Sequence, residues 1–103
     1  MKTYNKLVRD KILKELKKSG VGYKYHIAKD DGEFLEKLYD KLQEEIQEFR
    51  EEPSIEEFAD ILQVLEAIAK FNNFDLNKIK EVKANKFYKK GGFNNRIILE
   101  ETN

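Results

Sequence analysis

Between Gln43 and Asp60 the chain reads QEEIQEFREEPSIEEFAD, eight carboxylates in two helical halves around Pro53. What these groups can do depends on which of them share a face. A helix turns about 100° per residue, so each position can be placed. With Leu42 as origin, the apolar residues span an arc from about −80° (Phe34) to about +60° (Tyr39). Glu45 falls near −60°, roughly where a hydrophobe belongs, and Glu48 near −120°, on the margin. With Ile61 as origin, the next apolar arc runs from about −80° (Phe71) to about +120° (Ile55). Glu57 falls near −40° and Asp60 near −100°. Two antiparallel helices would each turn an i, i+3 acidic pair inward: Glu45/Glu48 and Glu57/Asp60. Four carboxylates converging there repel one another unless something neutralises them. Hard divalent cations take oxygen ligands, and Mg²⁺ is commonly held by carboxylates, waters and substrate phosphates together. Two other uses stay open. Ser54-x-x-Glu57 is also a capping box, and Glu45 and Glu48 also fit an ordinary acidic helix edge. Glu44, Glu51 and Glu56 are expected to face water, and Glu52, displaced by Pro53, to sit at the rim.

The elements that must position these groups follow from apolar periodicity. Residues 33–51 and 55–72 read as two long amphipathic helices, broken at Pro53 with Ser54 as cap. Their short connection makes them antiparallel neighbours. Leu7, Val8, Ile12, Leu13 and Leu16 predict a short helix over 4–18, stopped by Gly20 and Gly22. Asp31 is the expected cap of the first long helix. Asp75 caps a third segment, 76–89, which Gly91-Gly92 ends. Lys83, Lys86 and Lys90 continue the face of Leu76, Ile79 and Val82, with Asn85 beside them. Lysines there either snorkel into water or reach phosphate oxygens in a neighbouring site. Residues 23–27 (YKYHI) and 96–99 (RIIL) look extended, and a short β pairing between them would satisfy their backbones. His26, the single histidine, reads as a surface residue of that strand. Arg9, Asp10 and Lys11 read as a local charge cluster.

Composition limits the alternatives. The 103 residues make one domain, 1–103. Twenty basic and twenty acidic residues cancel, which argues against a general nucleic-acid binder. The absence of cysteine excludes disulfides, thiolate metal sites and a Cys nucleophile. No apolar run reaches the roughly 20 residues of a membrane span. MKTYNKLVRD lacks the apolar core of a signal peptide, so a cytoplasmic location is expected. Three helices with this much apolar margin are too few for a closed core, so the expected fold is an all-α antiparallel bundle completed by oligomerisation, as a homodimer or homotetramer.

Glu45-Ile-Gln-Glu48 followed by Glu57-Phe-Ala-Asp60 resembles the ExxE…ExxD signature of the MazG-like all-α nucleoside triphosphate pyrophosphohydrolases, a superfamily that includes phosphoribosyl-ATP pyrophosphohydrolase and dimeric dUTPase. The flanks YNKLVRDKI and KANKFYKKGGF resemble those of one small branch, so the likeness covers about residues 4–99. The resemblance implies that Glu45, Glu48, Glu57 and Asp60 bind Mg²⁺. It implies further that Lys83, Asn85 and Lys86 lie near the substrate phosphates, and that Arg9, with Lys11, belongs to an N-terminal motif of phosphate-binding or structural use. Eight residues separate Glu48 from Glu57, fewer than is usual in the family, which demands a tight turn at Pro53 or a different metal geometry. The expected activity is hydrolysis of a nucleoside triphosphate between the α and β phosphates, releasing the monophosphate and pyrophosphate. Glu45 or Glu48 would accept the attacking water's proton. Phosphoribosyl-ATP is the alternative substrate within the family. A non-catalytic helical module for binding or self-association is the alternative outside it.

Overall fold

A computed structural model describes residues 2–103. It contains four helices: α1 (Ile12–Lys18), α2 (Asp31–Glu51), α3 (Ile55–Phe71) and α4 (Leu76–Lys90). Among the described residues there is no strand. No helix is long and apolar enough to cross a membrane.

The centre of the fold is the α2–α3 hairpin. Three residues, Glu52 to Ser54, join the two helices. Glu52 leaves helical geometry (φ −144°, ψ 86°), as the residue before a proline is pressed to do. Ser54 Oγ then accepts the Glu57 N–H at 3.1 Å and starts α3. The tight turn at Pro53 therefore accounts for the short spacer between the two acidic pairs. Aromatic pairs hold the antiparallel register at both ends. Phe49 meets Phe58 edge-on beside the turn, 5.8 Å between centroids, and Phe34 meets Phe71 at the open end, 6.0 Å apart. Leu38 and Ala69 are the apolar residues that the hairpin buries fully.

Asp30, not Asp31, caps α2, accepting the Glu33 N–H at 2.9 Å. The difference is one residue: Asp31 already has helical geometry, and the extended residue before it makes the bond. Two helices close on left-handed residues. After α1, Gly20 (φ 72°) lets its own N–H reach Lys17 O and the Val21 N–H reach Leu16 O. After α3, Asn73 (φ 58°) does the same, with bonds to Lys70 O and from Phe74 N–H to Ala69 O.

Two expectations are corrected. The predicted helix over 4–18 is helical only from Ile12. Residues 4–9 instead form an irregular strap across the hairpin, pinned where Lys37 Nζ donates to Asn5 O at 2.9 Å. The periodicity of Leu7 and Val8 is overridden because Lys6 and Arg9 are drawn to carboxylates on different helices. The β pairing of 23–27 with 96–99 does not form. Both segments are extended but exposed, with Ile27, Ile97, Ile98 and Leu99 all more than three-quarters open, so water rather than a ladder satisfies their backbones. His26 is at the surface as expected, and its Nε2 lies 3.1 Å from Glu33 Oε2, tying this segment to the start of α2.

α4 stands apart. It makes no extensive contact with α2 or α3, and every one of its residues is exposed. The molecule is accordingly long, 59 × 32 × 27 Å, with a radius of gyration of 18.2 Å. A compact chain of this length would have about 13 Å.

Leu38 is 2% exposed at the middle of the hairpin. Leu38→Ala should cost about 2–5 kcal/mol in urea unfolding. Ser54→Ala should cost about 1 kcal/mol by loss of the cap.

Candidate metal centre

The register of the hairpin brings the two acidic pairs together. One carboxylate oxygen from each of Glu45, Glu57 and Asp60 lies within 4.8 Å of the other two. Glu44, Glu45 and Glu48 form a second such group, so Glu45 belongs to both. All four residues expected to bind a cation are therefore in one place, and a fifth joins them. Glu44, which helical phase puts in water, is only half exposed. Lys6 Nζ reaches its Oε1 at 2.8 Å from the strap and folds it toward the cluster. Glu51, Glu52 and Glu56 remain exposed outside it.

Burial sorts the cluster. Glu45 is 6% exposed, the single buried charged residue among those described. Glu57 and Asp60 are half-buried, and Glu48 is open to solvent. Glu57 stands at the junction of the two uses open to it. Its N–H is capped by Ser54, but its side chain turns toward Glu45 and away from its own helix end. The Oε2 atoms of Glu45 and Glu57 are both buried without a hydrogen-bond partner. Buried polar atoms are nearly always paired, so two orphaned carboxylate oxygens in one cluster call for a counter-charge or a shared proton.

Part of that charge comes from the protein. Lys41, one turn before Glu45 on α2, stands 3.4 Å from its Oε1. Arg9 comes from the strap, with Nη2 donating to Asp60 Oδ1 at 2.7 Å and Nη1 to Gln63 Oε1 at 2.8 Å. Lys6, Arg9 and Lys41 are thus three cations against five carboxylates. The shortfall shows in the proton affinities. The hydrogen bond that a protonated Glu57 makes to the Glu45 carboxylate pushes the Glu57 carboxyl up from an ordinary 4.5 to about 7, with burial and the charges of Glu48, Glu45 and Asp60 acting in the same direction. The Glu44 carboxylate in turn holds the Lys6 ammonium above its usual range.

The donor set fits a hard divalent cation: carboxylate oxygens alone, two of them buried and unsatisfied, with an open edge at Glu48. Arg9 reaches the cluster through Asp60. Lys83, Asn85 and Lys86 do not, because α4 lies away from the hairpin of its own chain. Lys6, Lys41, Glu44 and Gln63 were not singled out by the sequence. Lys41 carried a readable signal, its i, i+4 spacing to Glu45. Lys6 and Gln63 meet the cluster only through the path of the strap.

Comparison with known proteins finds no match to this chain among family models, curated proteins or solved structures.

The crowding of Glu57 makes stability depend on pH and on cations. Its carboxyl holds a proton more tightly in the folded chain than in the unfolded one. That contribution is therefore complete below about 4.5 and lost as pH rises through about 7. In a chelator, Tm should fall between pH 5 and 8, and Glu57→Gln should flatten the decline. Mg²⁺ should raise Tm more at pH 8 than at pH 5. An unchanged Tm with Mg²⁺ at pH 8 would refute the cation site.

Proposed function

We propose that the protein is a Mg²⁺-dependent nucleoside triphosphate pyrophosphohydrolase of the MazG-like type, cleaving between the α and β phosphates and acting as a homo-oligomer. The observation that carries this reading is the pair of buried, unpartnered carboxylate oxygens of Glu45 and Glu57 within a cluster that also holds Glu48 and Asp60. A structural acidic edge would leave its oxygens in water, whereas this one takes two of them out of it. The ExxE…ExxD order of those residues adds the likeness of motif.

Glu45, Glu48, Glu57 and Asp60 would hold the ion. When bound, it supplies charge neutralisation and Lewis-acid polarisation of the phosphate oxygens. The chain's own residues divide the remaining work. Glu48 is the exposed member, and its carboxylate has no hydrogen-bond or ion-pair partner among the described residues. It is free to accept the proton of an attacking water. Glu45, buried and paired with Lys41, is the less accessible of the two candidate bases. Arg9 spends two of its five N–H donors on Asp60 and Gln63. Its side chain is 58% exposed, which leaves guanidinium edge for a phosphate oxygen. The Asp60 and Gln63 bonds fix the guanidinium plane before substrate arrives, which limits the ordering cost on binding.

The rival reading, a non-catalytic association module, draws on the exposed apolar residues of α3 and α4. Turnover separates the two. A panel of nucleoside triphosphates and phosphoribosyl-ATP should show Mg²⁺-dependent release of pyrophosphate from at least one member. Glu48→Gln and Asp60→Asn should each abolish it while circular dichroism shows the helices intact. Arg9→Ala should raise KM more than it lowers kcat. Full activity in Glu48→Gln or Asp60→Asn would sink the assignment.

A further inference from the structure

The two carboxylate groups of the cluster are not equally supplied with cations. Glu44, Glu45 and Glu48 form one group, and Glu45, Glu57 and Asp60 form the other. Two ammonium groups stand at the first. Lys6 Nζ lies 2.8 Å from Glu44 Oε1, and Lys41 Nζ lies 3.8 Å from the same oxygen and 3.4 Å from Glu45 Oε1. The second group has only Arg9, on Asp60. It also keeps both unpartnered oxygens, Oε2 of Glu45 and Oε2 of Glu57. Glu45 is 6% exposed, so its free oxygen is a buried acceptor inside the cluster.

Lys6 is held in place by the strap that carries it. The residue before it, Asn5, takes a left-handed backbone (φ 46°), and Lys37 Nζ donates to the Asn5 carbonyl at 2.9 Å. Beyond Lys6, Arg9 anchors the strap to α3 through Asp60 and Gln63. The ammonium also lies 5.6 Å from the centre of the Tyr4 ring. The charges of Glu48 and Glu45 act on it besides that of Glu44, so it serves the whole group and not one partner. Lys6 and Glu44 are both partly open to water, so their pair contributes little to stability.

A cation in that position limits how many ions the cluster takes. With Glu57 ionised, five carboxylates face three protein cations, and the excess of two negative charges is that of one divalent ion. A second divalent ion would have to share Glu44, Glu45 and Glu48 with an ammonium already against them, and like charges repel. We infer that Lys6 is a built-in substitute for a second metal ion: its ammonium fills the Glu44–Glu45–Glu48 group, so that the chain takes one divalent ion, at the unpartnered oxygens of Glu45 and Glu57, and a chain without that ammonium takes two. Lys41 stays at the emptied group, which makes the second site the weaker one. The inference rests on the cluster's holding a divalent ion, as the hydrolase reading does, and not on turnover.

Counting bound ions tests it. Mn²⁺ stands in for Mg²⁺ as a divalent ion that takes oxygen ligands, and electron paramagnetic resonance counts it because the signal of the free aqueous ion falls on binding. At pH 8, where Glu57 is mostly ionised, the unsubstituted chain is expected to bind one Mn²⁺. Lys6→Met, which keeps the apolar stem, is expected to bind two. Lys6→Arg restores the charge and should return the count to one. Combining Lys6→Met with Glu44→Gln removes a ligand of the emptied group and should also give one. Circular dichroism checks the helices of each variant, and Lys6→Gln carries the same test if Lys6→Met does not fold. Two ions on the unsubstituted chain, or one on both it and Lys6→Met, would overturn the inference and leave the cation site standing. No bound Mn²⁺ on any of these chains would remove both. One and two ions as expected, with no pyrophosphate released from any nucleotide, would uphold the inference and remove the hydrolase reading.

Discussion

Glu45 and Glu57 are pressed together between two helices, and most of the rest of the structure answers to that contact. A buried carboxylate beside another is costly unless a proton, a cation or an ion shares the space. Here the backbone leaves little room for escape. The three-residue turn and the aromatic pairs at both ends hold α2 and α3 in one register. That register places Glu45 opposite Glu57 and Asp60. The proton affinity of Glu57 is the local record of the conflict.

The protein answers with cations from two parts of the sequence. Lys41 rises from the same helix as Glu45, Lys6 and Arg9 come from the strap, and the strap is itself tied to α2 through Lys37. The more exposed Lys6 and Arg9 pairs contribute only about 0–1 kcal/mol each. Their importance is orientation: they draw Glu44 inward, fix the Asp60 carboxylate and align the Arg9 guanidinium beside it. A site that keeps a charge deficit after these contacts is suited to a ligand that brings positive charge or bridges to one. The acidic hairpin lacks cations and exposes an apolar stripe, while α4 has lysines and an unpartnered apolar face.

The helices themselves were largely legible in the amino-acid order. The breaks at Gly20 and Pro53 and the caps Ser54 and Asp75 are local signals, and local backbone chemistry obeys them. So is helical phase, which picked out Glu45, Glu48, Glu57 and Asp60 because side chains on a helix have fixed angular positions. What phase could not supply is any relation between segments without a shared period. The strap over residues 4–9, Lys6 on Glu44, Arg9 on Asp60 and Gln63, and the absent pairing of 23–27 with 96–99 all depend on where distant segments lie in space. Glu57 shows the division most clearly. The sequence allowed it to cap its own helix or to join the cluster. Only the packing of α2 against α3 decided, because it set the Glu45 carboxylate within reach of the side chain while Ser54 alone satisfied the helix end.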